Sequence, residues 1–214
     1  MTPAKWRQVE RDAERTRDTI LDAAETAFAR QGFDGTSLQE IGEAAGVSRS
    51  TPAYFFGSKS ELYEAVLARV VARAQTAMLH AHAEIEPSKP PEDAVAKYVG
   101  AFLDLLAEDQ AYLRLIQREA LAGGASHVAS LFGPPVEDTL SALAPAAEKA
   151  GISPQQLLLD VIALCWYPFA HEHTLLPSLD MSPREPTFLH EYKEHVVALI
   201  CGLMAANRRS RSKK

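Results

Sequence analysis

Residues 36–59, TSLQEIGEAAGVSRSTPAYFFGSK, constrain the fold more than any other part of the chain. Leu38, Ile41, Ala44 and Ala45 recur at helical spacing and make one apolar face. Gly46 then permits the left-handed backbone that ends a helix, because it has no Cβ to clash. Val47 is an apolar plug that can pack between this helix and the next. Ser48 is a good N-cap for that second helix. Two short helices around a tight turn make a helix-turn-helix, and the second helix of such a unit can lie in the DNA major groove.

The flanks extend the pattern. A first helix is expected from about Glu14 to Gln31, with Ile20, Ala24, Ala27 and Phe28 on one face. Gly32 ends it, Phe33 folds back as a plug, and Asp34-Gly35 is a turn dipeptide. Ser37 with Glu40, or Thr36 with Gln39, forms a capping box that starts the second helix. The third helix contains Pro52, which cannot donate a backbone N–H. Either Ser48 caps a short, distorted turn, or the regular helix starts late with Thr51 as N-cap and Pro52 at its first position. The first arrangement is the preferred one. In both, Arg49, Ser50 and Thr51 stand at the helix entrance, the end that a recognition helix turns toward base edges.

A chain of 214 residues can bury a sizeable core and hold one large or two small domains. Aromatics make up only 7%, and alternating β-branched runs are almost absent, which favours an all-α fold. Cys165 and Cys201 sit in apolar helical surroundings and read as free thiols in a reducing cytosol. With no secretory signal and no run of about 18 apolar residues, a cytoplasmic protein without a membrane span is expected. The net charge of −6 is unevenly placed. Residues 1–59 carry 8 basic and 9 acidic side chains, residues 60–207 carry 9 and 19, and residues 208–214 carry 5 and none. The acidity belongs to the later part, so the balance is compatible with DNA binding.

Residues 15–67 resemble the DNA-binding domain of the TetR/AcrR family of bacterial transcriptional regulators. Ile20, Ala23, Ala24, Phe28, Gly32 and Phe33 carry the resemblance on the first helix and its exit. Thr36, Ser37, Ile41 and Ala45-Gly46-Val47-Ser48 come next, then Thr51, Phe56, Ser58-Lys59 and Leu62. The resemblance implies that Thr36 or Ser37 bonds a phosphate and that Ser48 caps or contacts one. It gives Arg49 and Ser50 to base edges, where an arginine grips guanine through two acceptors. Thr51 and Tyr54 would meet phosphate or thymine methyls. Lys59 would meet a phosphate beside the N–H groups of the fourth helix. Val47 and Phe56 belong to the small core. Pro52 and Ala53 depart from the family's usual apolar residue and tyrosine, so either Tyr54 or Phe55 supplies that phosphate contact or the clamp is weaker. Residues 1–14 read as a mobile arm that becomes helical toward Arg11. Its Arg7, Arg11 and Arg15 either track the minor groove or belong to a solvated helix.

The rest of the chain reads as further helices. A fourth runs from Lys59 to about Ile85 behind Ser58 and Glu61, a fifth over 92–107 and a sixth over 110–121, stopped by Gly123-Gly124. A short piece lies around 127–132, and a seventh helix begins at Pro134-Pro135. The eighth starts with Ser153 and Pro154 and is apolar nearly all round, which suggests a subunit interface. The last runs over 187–206. Expected domains are 1–60, a helix-turn-helix DNA-binding domain with its arm; 61–207, a helical domain; and 208–214, a basic disordered tail.

In the family, the last two long helices resemble a pair that forms a four-helix bundle with a second subunit. A homodimer also suits a palindromic operator. The second domain of such regulators holds a small-molecule effector, which shifts the spacing of the reading heads and hence DNA affinity. Candidate lining residues are Met78, Tyr98, Phe102, Arg114, Gln117, Trp166, Tyr167, Phe169 and His171. Within them, Pro168 would kink a buried helix beside Trp166, Tyr167 and Phe169, leaving unbonded carbonyls and room. His171, His173, His190 and His195 lack chelating spacing, so no metal and no cofactor are expected. No nucleophile–base constellation or phosphate loop argues for an enzyme. The function expected is a ligand-responsive regulator, in the first place a repressor. The rival is a helical carrier or enzyme whose helix-turn-helix does not read DNA.

Overall fold

The computed structural model describes residues 3–86, 88–122 and 126–211, with side chains over 10–86, 88–122 and 136–206. The described chain is all-α. Its helices are α1 (Pro3–Gln31), α2 (Leu38–Ala44), α3 (Thr51–Phe56), α4 (Lys59–Ala83), α5 (Pro91–Glu108), α6 (Gln110–Leu121), α7 (Ser126–Ala150), α8 (Pro154–Ala170) and α9 (Pro186–Arg211). A single 3-10 turn, Leu176–Leu179, lies between α8 and α9.

The chain forms two compact units, Met1–Val71 with Arg114–Val128, and Ala72–Leu113 with Ala129–Lys214. The divisions fall inside α4, α6 and α7, whereas the sequence reading put one after residue 60. The first part of α4 is tied to α1. Arg69 donates to Glu25 at 2.6 Å and Asp22 at 2.8 Å, and the Tyr63 ring meets Phe28 edge-on at 4.9 Å.

In the first unit, Ile20, Leu21, Ala24 and Phe28 of α1 are buried, as are Ile41 of α2, Phe56 of α3 and Leu62, Val66, Leu67 and Val70 of α4. Arg118 of α6 closes the C-terminus of α1. Its guanidinium donates to the Arg30 carbonyl at 2.9 Å and the Ala29 carbonyl at 3.4 Å, two carbonyls with no partner within their own helix.

In the second unit α5 packs against both α8 and α9. Its Val95, Val99, Leu103 and Leu106 are fully buried, as are Leu143 and Ala147 of α7, Cys165 of α8 and Val196 and Met204 of α9. Burial pushes the Cys165 thiol up to about 12, so it stays protonated and inert. Lys149 pairs with Glu92 at 2.5 Å, and Lys193 with Asp104 at 2.5 Å.

Several boundaries differ from the sequence reading. The expected arm is helical from Pro3, where a proline can start a helix without losing a bond. The polar residues after it are good helix formers. The Thr16 and Thr19 hydroxyls turn back to the carbonyls of Asp12 and Arg15 at 2.8 Å. Helix α7 begins at Ser126 and runs through Pro134-Pro135, replacing the expected short piece and later start. Two prolines remove two donors, yet their fixed φ is helical. Helix α9 continues to Arg211, so the expected tail is helical there, and residues 212–214 lie outside the described part. Gly123-Gly124, the expected stop of α6, also lie outside it.

Helix α8 is buried through Leu157, Val161, Cys165 and Phe169. Its opposite face leaves Leu159 64% exposed, with Ile162 and Tyr167 also open. On α9, Leu199 and Leu203 are likewise exposed, Leu203 at 51%. Pro168 stands inside α8 and cannot donate to the Leu164 carbonyl one turn earlier. That carbonyl accepts instead from the Tyr192 hydroxyl of α9 at 3.0 Å. Tyr192→Phe removes the donor and leaves a carbonyl unsatisfied, a loss of about 1–3 kcal/mol. Urea unfolding monitored by circular dichroism is expected to show a lower midpoint at unchanged slope.

Candidate nucleic-acid interface

The site is a corner between α2 and α3. Ser37 caps α2 with a complete box: its Oγ accepts from the Glu40 N–H at 3.2 Å, and Glu40 Oε2 accepts from the Ser37 N–H and hydroxyl at 2.9 Å. The helix ends in a Schellman turn. Val47 N–H donates to the Gly42 carbonyl at 2.9 Å and Gly46 N–H to the Glu43 carbonyl at 3.1 Å, with Gly46 at φ +68. Gly42 is the tightest point. A Cβ there would lie 3.0 Å from the Ser48 carbonyl oxygen, 3.3 Å from Arg49 Cα and 3.4 Å from Pro52 Cδ. Gly42 and Pro52 are both buried, and their contact sets the approach of the two helices.

Helix α3 starts late, at Thr51, with Ser50 as N-cap and Pro52 in the first turn. Ser48 is therefore not the cap of a distorted turn, and Thr51 is already helical. Pro52 falls among the first N–H groups, which have no helical partner in any case. Ser48 instead braces the entrance. Its carbonyl accepts from Thr51 N–H at 2.9 Å, and its hydroxyl meets Thr51 Oγ1 at 2.7 Å and Ser50 Oγ at 3.2 Å.

The residues assigned to DNA divide into two groups. Thr36 is only 3% exposed and its hydroxyl donates to the Gly32 carbonyl at 2.8 Å. Lys59 Nζ donates to the carbonyls of Phe33 at 3.0 Å and Thr36 at 3.2 Å, and lies 4.3 Å from the Phe33 ring centre. These two close the loop before α2. Arg49, Ser50 and Tyr54 face solvent, Tyr54 at 84% exposure with its ring edge-on to Phe55 at 5.4 Å. Arg49 Nη2 pairs with Glu43 Oε1 at 2.6 Å. The departure at Pro52-Ala53 is local: Pro52 is core, Ala53 is open, and Tyr54 projects beside it. In the arm, Arg11 and Arg15 are exposed on α1, whereas the side chain of Arg7 lies outside the described residues. Arg17 lies 4.3 Å from the Phe56 ring and donates to the Phe55 carbonyl at 3.4 Å, tying α1 to the end of α3.

The candidate effector residues are not all in one place. Arg114 and Gln117 fall in the same compact unit as the corner, the others in the second unit. Met78 and Tyr98 line a cavity of about 210 Å³ together with Gln75, Leu79, His82, Asp138 and Thr139. Tyr98 Oη meets His82 Nδ1 at 3.1 Å. Burial, with Asp138 adding, pushes the Tyr98 hydroxyl up to about 12, so it remains a donor. Trp166 packs elsewhere, 6.4 Å from the Phe102 ring and 6.1 Å from Tyr112. Tyr167 and His171 pair at 4.3 Å on the exposed side, and Phe169 is buried under Arg184 at 5.6 Å. Thus the Trp166–Phe169 segment and the cavity are separate features.

Sequence reasoning missed Gly42, Glu43 and Arg118. A glycine inside a helical pattern is a usable signal, since it costs stability unless a neighbour needs the space. The contact of Arg118 with the end of α1 spans 88 residues and has no local signature.

A braced two-helix corner with an exposed entrance to its second helix defines a helix-turn-helix regulator. Comparison with known proteins gives the family. Residues 20–66 match the bacterial regulatory proteins of the tetR family, and residues 91–200 the tetracyclin repressor-like C-terminal domain. The chain is 31% identical over 191 residues to the HTH-type transcriptional regulator RutR of Escherichia coli K12, covering 85% of this chain and 86% of that one. It is 25% identical over 173 residues to the HTH-type transcriptional repressor NicS of Pseudomonas putida KT2440, covering 76% and 80%. A TetR-like transcriptional regulator from Rhodococcus sp. RHA1 shares the fold at a TM-score of 0.64 and 20% identity, over 89% and 96% of the two chains. The chain belongs to the TetR family and is a transcriptional regulator. Among the described residues no helix is long and apolar enough to cross a membrane.

Glu40 and Glu61 cap α2 and α4, and hydrogen bonds from Ser37 and Ser58 hold their carboxyls below the ordinary 4.5. A carboxyl depressed in the folded state stabilises it above the unfolded pKa and loses that contribution as pH falls through the folded one. The Glu40→Gln, Glu61→Gln protein is expected to lose less stability than the native one as pH drops below about 4.5. Thermal melts between pH 3 and 7 measure it.

Proposed function

We propose that the chain works as a homodimer in the cytoplasm. Two α2–α3 corners read the halves of a palindromic operator, and a small molecule in the second unit releases them. The observation that carries this reading is the entrance of α3. There Arg49, Ser50 and Tyr54 are exposed on a turn held by Ser48, Gly42 and Pro52. Rigid placement of a few side chains is what base readout needs. In this reading Arg49 and Ser50 meet base edges, and Tyr54 with Thr51 meets phosphate or thymine methyls. Ser37 and Ser48 lie where α2 and the turn approach the backbone. Thr36 and Lys59 act indirectly, by fixing the loop and the start of α4.

The apolar faces left open on α8 and α9, Leu159, Ile162, Leu199 and Leu203, support a dimer through these helices. A two-fold axis gives the paired heads that a palindrome requires. The cavity lined by Met78, Tyr98 and Asp138 supports an effector site beside α4, a helix that continues into the reading unit. The named repressor among the relatives supports repression over activation. A regulator acting this way needs no catalysis.

Selection of bound DNA from a random pool tests the reading. The native protein is expected to enrich a two-fold symmetric sequence, and Arg49→Ala to bind that sequence about 10- to 100-fold more weakly with relaxed preference in each half-site. Enrichment without symmetry, or none, would favour a carrier or enzyme with an idle helix-turn-helix.

A further inference from the structure

Residues 36–59 contain two basic side chains, Arg49 and Lys59. The Lys59 ammonium is held on two main-chain carbonyls, which leaves Arg49 as the cation of this segment that faces solvent. It does so paired with Glu43, Nη2 to Oε1 at 2.6 Å, and both side chains are more than half exposed. The pairing is built into the corner. Arg49 Cα sits against Gly42, the neighbour of Glu43, at a point where even a methyl group would crowd it, and the Schellman turn fixes the intervening backbone. Glu40, the other carboxylate of α2, is engaged in the capping box, so Glu43 is the α2 carboxylate directed at the reading arginine.

A carboxylate beside the reading arginine opposes affinity in general, since it repels the phosphates on which non-specific binding rests. Its effect on the two kinds of DNA contact differs. A phosphate drawn to the Arg49 guanidinium is also drawn toward the Glu43 carboxylate, and the two anions repel. Guanine O6 and N7 carry no net charge. The guanidinium has five N–H donors, and Glu43 is bonded through Nη2. Two of the remaining donors can grip a base edge while the ion pair stays closed. A closed pair also limits the rotamers of Arg49, so less freedom is lost when the base is met.

We propose that Glu43 is a specificity-determining positioning residue: it screens Arg49 from phosphates and presents it to a base edge. This rests on Arg49 being a base-reading residue, as proposed above, and the test separates the two ideas.

Full-length protein is titrated by fluorescence anisotropy against the selected operator and against a scrambled duplex of equal length, over a range of salt concentrations. Four proteins are compared: native, Glu43→Gln, Arg49→Ala and the double variant. Glutamine keeps the shape and removes the charge. The exposed ion pair sets the scale, so the Glu43→Gln protein is expected to bind the scrambled duplex about two- to fivefold more tightly. Operator affinity changes less, so the specificity ratio falls. The slope of log K against log salt on scrambled DNA steepens by about one, one further phosphate contact. In the Arg49→Ala background the same substitution loses its preferential effect on scrambled DNA. If Glu43→Gln strengthens both duplexes equally, or acts identically with and without Arg49, Glu43 is an ordinary repelling charge and the proposal is overturned. If Arg49→Ala leaves the specificity ratio unchanged, the reading role of Arg49 fails instead, and this proposal fails with it. Unchanged circular dichroism melts show that no variant acts by unfolding.

Discussion

The corner between α2 and α3 depends on a close backbone approach at Gly42, where an added side chain would make its neighbours give way. An added Cβ there would press on the Ser48 carbonyl oxygen at 3.0 Å and Arg49 Cα at 3.3 Å, and would touch Pro52 Cδ at 3.4 Å. Arg49 and Ser50, exposed at the entrance of α3, directly adjoin that contact. The two short helices bury little by themselves. Ile41, Gly42, Pro52 and Phe56 are the buried residues of α2 and α3, so shape and caps must supply the definition that area does not. The capping box at Ser37, the Schellman turn at Gly46 and the hydroxyl brace at Ser48 supply it.

The corner is in turn held by longer elements. Lys59 ties the start of α4 to the loop before α2, Arg17 ties α1 to the end of α3, and Arg118 covers the C-terminal carbonyls of α1. Three cations thus have partners within the protein itself. The net charge of a reading domain is a poor guide to its DNA contacts for this reason. Lys59 is held on the Phe33 and Thr36 carbonyls, the exposed Arg17 lies on the Phe56 ring, and Arg49 is shared with Glu43.

Much of this was legible in the chain. Leu38, Ile41 and Gly46 gave the α2–turn–α3 unit, and Ser153-Pro154 marked the start of α8, because periodicity and caps are local properties. Pro52 was legible only in part. The sequence offered two helix starts, capped at Ser48 or at Thr51, and the structure takes neither: Ser50 is the N-cap and Thr51 is already helical. The helical arm and the uninterrupted α7 were not legible, since a polar stretch and a proline pair each have local readings as favourable as helix. Pro168 was read as kinking α8 and leaving carbonyls unbonded; it does deprive the Leu164 carbonyl of a helical donor, but that carbonyl is bonded. That Tyr192 occupies it depends on the docking of α9, which no local pattern encodes. The candidate effector residues were the least legible. Met78 and Tyr98 line a cavity, whereas Trp166 packs on Phe102 and Tyr112 and Phe169 is buried elsewhere, and apolar helical residues look alike in both roles.

The central claim is that Arg49 meets guanine in the major groove of each half-site. Methylation interference at guanine N7 addresses it directly, because the methyl group blocks the acceptor that the guanidinium would grip. The account predicts that one methylated guanine in each half-site abolishes binding by the native protein and has no effect on residual binding by Arg49→Ala. Interference at the same guanines for both proteins, or at none for either, would contradict it and return base reading to other residues of the α3 entrance.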